Sequence, residues 1–299
     1  MAQARTRLIN AIVRRVMKRR LSACKTPLDV RRLFEASPLL ITPKGARYAQ
    51  ATMGGVPGEW IEADKPQPRA TLLYLHGGGY VSMSPRTHRP ITAAFARRGL
   101  RVFAADYRLA PEHPFPAALD DATAAWRALR AEVGGPMLVA GDSAGGGLAL
   151  AMMLNLRDRG ERGPDAGCLF SPWTDLACTG ESTKGNRDRD PLLTIDGADI
   201  LSSAYAGGSD LQNPLISPLY GDFAGLPRMI AFVGDTEVLL DDSIRVAARA
   251  KWVGVDVELR VYPDMPHVWP ALNAILPEGR QALEEAVAFL LAASATPTG

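Results

Sequence analysis

The chain predicts a doubly wound α/β protein, with a mostly parallel central sheet and helices on both faces. Two observations predict it. Apolar runs at residues 71–75, 101–105, 137–140, 167–170, 229–233 and 257–261 have strand length, and strands buried on both faces read as unbroken apolar stretches. Helical repeats lie among them: Leu119, Ala122, Trp126, Leu129 and Val133 follow spacings of 3, 4, 3 and 4, and Leu283, Val287 and Leu290 repeat the pattern near the end. Each repeat makes one apolar stripe to set against a sheet.

The elements can be justified in order. In the first twenty residues Arg5, Arg7, Arg14, Arg15, Lys18, Arg19 and Arg20 alternate with Leu8, Ile9, Ile12, Val13 and Val16. This is an amphipathic helix whose apolar stripe is expected to pack on the domain, the rival readings being a transit peptide or a helix lying on anionic lipid. Residues 48–53, the pair Gly54-Gly55 and residues 56–61 read as a hairpin with a glycine turn, hence an antiparallel edge. A polar, proline-containing connection at 64–68 leads into the parallel strands. The segment of about 176–218, rich in Gly, Asp and Ser with one helix-like piece at 197–205, breaks the alternation, and long insertions in compact domains are usually functional. The organisation read from this is an N-terminal helical cap segment over 1–45 and a main domain over 46–299 carrying a cap insertion at about 176–218.

Composition bounds the function. The chain has 299 residues, 47% hydrophobic and 22% charged, which suits one large globular α/β domain. With 34 Lys+Arg against 32 Asp+Glu the net charge is +2, too weak a field for nucleic acid or an anionic membrane to be the main partner; the basic excess is local, in the first twenty residues. Cys24, Cys168 and Cys178 are odd in number and lack metal-ligand spacing, so reduced thiols and a cytoplasmic location are expected. Arg14 and Arg15 interrupt the apolar stretch near the start before a secretory h-region forms, so neither a signal peptide nor stable membrane insertion is expected.

The chemistry is concentrated in two motifs. Gly141-Asp142-Ser143-Ala144-Gly145 is entered from the apolar run 137–140 and left through a helix-forming run at 148–156. Strand, sharp turn and helix around a serine is the setting of a nucleophile elbow; alone, the pentapeptide reads equally well as a glycine turn for close packing. The second motif, His76-Gly77-Gly78-Gly79-Tyr80, directly follows the run 71–75. Its glycines free the backbone to turn N–H groups toward a developing oxyanion, and neither phosphate-loop nor dinucleotide-loop spacing is present.

A serine hydroxyl needs a base within hydrogen-bond reach and a third group to orient that base. In enzymes built on such an elbow the acid and the histidine follow the serine in that order. Of the four histidines, His76, His88 and His113 precede Ser143, leaving His267 in Met265-Pro266-His267-Val268-Trp269. The acid belongs after the run 229–233, where Asp235, Glu237, Asp241 and Asp242 stand. Asp241 and Asp242 are better placed to open the next helix, and spacing does not separate Asp235 from Glu237.

Taken together with Asp106-Tyr107-Arg108-Leu109-Ala110-Pro111-Glu112-His113-Pro114-Phe115-Pro116 and the Asn213-Pro214 and Ser217-Pro218 pairs, these motifs resemble the hormone-sensitive-lipase-type serine esterases of the α/β-hydrolase superfamily, over roughly residues 45–295. The resemblance implies an α/β-hydrolase fold and hydrolysis of carboxylic esters of short to medium acyl chains through an acyl-enzyme, with no metal or cofactor. It also implies a small-molecule ester as partner, and a homodimer. Oxyanion donors at Gly78, Gly79 and Ala144, with Gly77 shaping the loop, follow from it, as do structural roles for Tyr107, Arg108 and Glu112. The family's acid motif, D-P-L-x-D-E, falls here on Glu237-Val238-Leu239-Leu240-Asp241-Asp242; the candidate triad is therefore Ser143, Glu237 and His267, with glutamate where aspartate is usual. Phe34, Trp173, Tyr205 and Trp269 are candidates to line the pocket, packed core being the blander role for each. The rival activities on this scaffold are those of a lipase, an amidase or a lactonase. A non-catalytic receptor is a further rival, against which the retention of His267 argues.

Overall fold

A computed structural model describes residues 2–35 and 42–294. Eight strands form one sheet: β1 (Ala46–Met53), β2 (Val56–Ala63), β3 (Ala70–Leu75), β4 (Leu100–Ala105), β5 (Met137–Asp142), β6 (Ala166–Phe170), β7 (Met229–Gly234) and β8 (Val257–Tyr262). Their order is β1-β2-β4-β3-β5-β6-β7-β8. The β1–β2 and β2–β4 pairs are antiparallel and all others parallel. All six apolar runs are strands, and the glycine-turn hairpin forms the antiparallel edge.

Alternation along a strand sends neighbours to opposite faces, and β3 shows why its run is unbroken. Leu73 and Leu75 enter one core, Leu72 and Tyr74 the other, all wholly buried. The first core is closed by α5 (Ala117–Glu132), α6 (Ala144–Asp158) and α9 (Leu240–Trp252), the second by α4 (Arg89–Ala96) and α10 (Pro277–Ser294). Leu119, Ala122, Trp126 and Leu129 make the buried stripe of α5 as predicted. Val133 falls just past the helix, in extended backbone, and still packs on the core.

Between β6 and β7 the insertion contains α7 (Ser182–Gly185) and α8 (Ala198–Ala206). The N-terminal segment contains α1 (Ala2–Val13), a π-helical turn (Arg14–Lys18), α2 (Arg19–Ala23) and α3 (Pro27–Glu35). The two segments meet, since Arg14 donates to the carbonyls of Asp188 and Arg189, and Lys18 to those of Arg187 and Asp190. One expectation is corrected here. The apolar stripe of the first helix is not covered as a unit: Ile9 packs on the core, while Leu8, Ile12 and Val16 are 63%, 53% and 45% exposed. Polar contacts, not the stripe, choose the docking face: Arg5 pairs with Glu278 and Asn10 donates to the Asp264 carbonyl.

Candidate active site

The carboxyl ends of the parallel strands β3, β5, β7 and β8 lead into every triad and oxyanion candidate, which is where open α/β sheets place their sites. Ser143 is the first residue after β5 and caps α6 with φ 52° and ψ −125°. Such a backbone costs a non-glycine residue about 1–3 kcal/mol, and the surroundings hold it. Its N–H donates to the Phe170 carbonyl, and its own carbonyl accepts from Trp173. The turn tolerates nothing larger than glycine at Gly145, where a Cβ would lie 2.1 Å from the Leu75 carbonyl oxygen.

Glu237 and His267 come together. His267 Nδ1 lies 2.7 Å from Glu237 Oε2, with the carboxylate wholly buried. The other oxygen, Oε1, accepts from Ser171 Oγ at 2.8 Å and from Gly234 N–H at 2.6 Å. Glu237 thus folds back over its own turn, which absorbs the extra methylene of glutamate. Asp235 points elsewhere, taking the Asp264 N–H at 2.7 Å on a side chain 38% exposed. Asp241 and Asp242 lie in the first turn of α9; Asp242 accepts from the N–H groups of Thr174 and Asp175. Among the described hydrogen bonds none joins Ser143 Oγ to His267.

Burial works against a charged His267, but the hydrogen bond and charge of Glu237 outweigh it and hold the imidazole pKa above its ordinary 6.5. Burial raises the pKa of Glu237 itself, with His267 pulling in the opposite direction.

The glycine loop lies against the elbow. Gly78 has φ 118°, and a Cβ there would lie 2.1 Å from the Ser82 carbonyl oxygen. The N–H groups of Gly78 and Gly79 donate to no protein acceptor among the described residues, and that of Ala144, first in α6, has no partner within its helix. Gly77 differs. Its N–H is 3.2 Å from Asp142 Oδ1, so it is engaged in holding the loop and is not free for an oxyanion.

Asp142 therefore acts as an anchor, a role the sequence pattern left blank. It accepts from Tyr74 Oη at 2.6 Å and lies 3.2 Å from His88 Nε2. Burial would raise the Asp142 pKa, but the His88 charge and hydrogen bonds overcome this and hold it low. His76 is not ionised at neutral pH: burial, with His88 nearby, pushes its pKa down to about 3. Its ring stacks on Tyr107, whose hydroxyl donates to the His76 carbonyl.

Ser171 is the other residue missed. It directly follows β6 with φ 46°, donates to Glu237 and accepts from Val268 N–H at 3.2 Å, tying the acid loop to the histidine loop. A lone serine before a proline carries no spacing signal, so only the fold could find it.

The aromatic candidates are largely packed. Trp269 is wholly buried beside Tyr262, and Tyr205 stacks on Tyr80 with centroids 3.7 Å apart. Trp173 is 5% exposed, and Phe34 is partly buried on the core. Leu201 of α8 is nearer the chemistry, its Cδ1 lying 2.9 Å from where a Cβ on Gly79 would stand.

Among known proteins, the family model described as alpha/beta hydrolase fold matches residues 72–271. The chain is 44% identical over 249 residues to an acetyl-hydrolase of Streptomyces hygroscopicus, covering 81% of this chain and 82% of that one. It is 36% identical to an esterase of Acinetobacter venetianus, covering 86% and 84%. A crystal structure of an esterase from the bacterial hormone-sensitive lipase family superposes with a TM-score of 0.89 at 42% identity, over 97% of this chain and 98% of the other. A structure of EstE5 soaked with p-nitrophenyl butyrate gives 0.91 at 37% identity, over 98% and 99%. The chain belongs to the α/β-hydrolase family, in its bacterial hormone-sensitive-lipase branch, and is a carboxylesterase-type hydrolase.

Proposed function

We propose that Ser143, His267 and Glu237 are the machinery with which this hydrolase cleaves carboxylic esters. The observation that carries the reading is the buried 2.7 Å contact between His267 Nδ1 and Glu237, on loops beside the elbow that presents Ser143. His267 Nε2 takes the hydroxyl proton as Ser143 Oγ bonds to the ester carbonyl carbon. The carbonyl oxygen becomes an oxyanion and receives the N–H groups of Gly78, Gly79 and Ala144; one such donor is worth on the order of 3 kcal/mol in the transition state. Collapse expels the alcohol, protonated by His267, and leaves an acyl-Ser143. Water then gives its proton to His267 and bonds to the acyl carbon, and the acid departs as the proton returns to Ser143. Glu237 keeps the imidazole oriented and offsets its charge in both halves.

The substrates we assign are esters of short to medium acyl chains. Leu201 of α8 beside Gly79 supports a narrow apolar wall over the oxyanion loop, and a p-nitrophenyl butyrate soak is what the EstE5 structure records. On this reading the N-terminal segment and the 176–218 insertion act as a cap. Three free thiols support a cytoplasmic location, and the resemblance supports a homodimer. Among the described residues no helix is long and apolar enough to cross a membrane.

Turnover of p-nitrophenyl esters from acetate to palmitate tests the assignment, with Ser143→Ala as control. Fastest turnover near butyrate and loss of about 10⁴-fold or more in the Ser143→Ala variant are expected. Full activity without the Ser143 hydroxyl would overturn it.

A further inference from the structure

Leu8, Ile12 and Val16 stand four residues apart and line up on one side of the N-terminal helix, where they are 63%, 53% and 45% exposed. Arg7, Arg15 and Arg19 are exposed with them, and no acidic residue precedes Asp29. The row cannot simply turn inward, because the opposite side is pinned. Asn10 donates to the Asp264 carbonyl at 2.8 Å, Lys18 to the Arg187 carbonyl at 2.6 Å, and Ile9 packs on the core. Beside it runs an open groove of about 530 Å³ lined by Arg7, Arg14, Arg15, Asn10, Ala11 and Asp264.

An apolar row flanked by exposed arginines, on a stretch of sequence without acidic residues and with Asp264 the one carboxylate lining the groove, matches a surface that offers acyl chains and phosphates together. Aliphatic side chains enter the boundary of a bilayer while arginines stay among the headgroups, and each basic residue near an anionic surface strengthens the attraction. A second copy of this chain fits less well, since pairing the two helices would set arginine against arginine. We propose that α1 and the turn after it seat the protein peripherally on anionic phospholipid, with Leu8, Ile12 and Val16 in the acyl boundary and Arg7, Arg15 and Arg19 on the phosphates. The seat adjoins the chemistry: Asp264, which accepts from Asn10, belongs to the loop leading to His267.

Vesicle co-sedimentation of the full chain tests this, comparing phosphatidylcholine alone with an equimolar mixture of phosphatidylcholine and phosphatidylglycerol. Binding is expected to the anionic vesicles and not to phosphatidylcholine, weakening as NaCl rises from about 0.1 to about 0.5 M. The Leu8→Gln/Ile12→Gln/Val16→Gln variant and the Arg7→Gln/Arg15→Gln/Arg19→Gln variant should each bind at least about tenfold more weakly. Both should keep wild-type turnover of soluble p-nitrophenyl butyrate, which shows that they fold. Ser143→Ala should bind as wild type does, so a failure of the esterase assignment leaves this proposal standing and the reverse also holds. The proposal is overturned if the wild type stays in the supernatant, if it binds both vesicles equally, or if the apolar variant binds undiminished. It is also overturned if that variant alters only the oligomeric state in sedimentation velocity, which would assign the row to a second copy.

Discussion

At the scale of single residues, the question spacing left open was which carboxylate serves His267. Glu237 touches the imidazole and Asp235 does not. Glu237→Gln is accordingly expected to lower kcat/KM about a thousandfold or more, and Asp235→Asn less than about threefold; steady-state kinetics on p-nitrophenyl butyrate decide, and the opposite ranking would move the acid to Asp235. Ser171→Ala removes one of two donors to the buried Oε1. A hydrogen bond to a charged group is worth about 1.5–3 kcal/mol, so kcat should fall about ten- to a hundredfold with KM little changed. The pH profile follows from the direction of the His267 shift. Only the neutral imidazole takes a proton, and Glu237 holds its pKa above 6.5. The acid limb of kcat/KM should therefore lie above pH 6.5, activity being lost as pH falls through it. In Glu237→Gln the charge is gone while burial remains, so the limb of any residual activity should move to lower pH.

At the scale of elements, what was legible depended on whether one local pattern had one structural solution. An unbroken apolar run such as 71–75 has nowhere to go but the middle of a sheet, and Gly54-Gly55 between two strand-like runs has little choice but a hairpin. The elbow and the glycine loop were legible because each motif needs the strand before it. The N-terminal helix was half legible: its period predicts a helix, but side-chain-to-carbonyl bonds to residues 187–190, distant in sequence, set its rotation. Ser171 and Asp142 were invisible as participants because their partners come from other strands and loops. The same long-range logic governs α3. Arg31 donates to the carbonyls of Val81 and Ala110 and pairs with Glu112, so one side chain fastens the N-terminal segment beside the oxyanion loop. Arg31→Ala should raise KM about tenfold, whereas Glu112→Gln, which leaves the two bonds to carbonyls in place, should change it less than about twofold. Equal effects from both variants would show that the ion pair, not the carbonyl contacts, holds α3.

At the scale of the whole molecule, the sheet separates two cores that share its strands but not their side chains. Leu148 of α6 lies in one, Leu283 of α10 in the other, and both are wholly buried. Truncating a buried leucine to alanine costs about 2–5 kcal/mol, the spread reflecting how far the site collapses. Substitutions without shared partners add to within about 0.5 kcal/mol. Leu148→Ala and Leu283→Ala should each lower stability by that amount, and the double variant by their sum, measured by urea unfolding with activity as a second probe. The two probes should fall together in each variant, because β3 alternates between the cores and neither face keeps its backing once the sheet opens. A double variant markedly less destabilised than the sum, or activity lost well before the spectroscopic transition, would show instead that the α6 face carrying the elbow unfolds separately from the α10 face behind it.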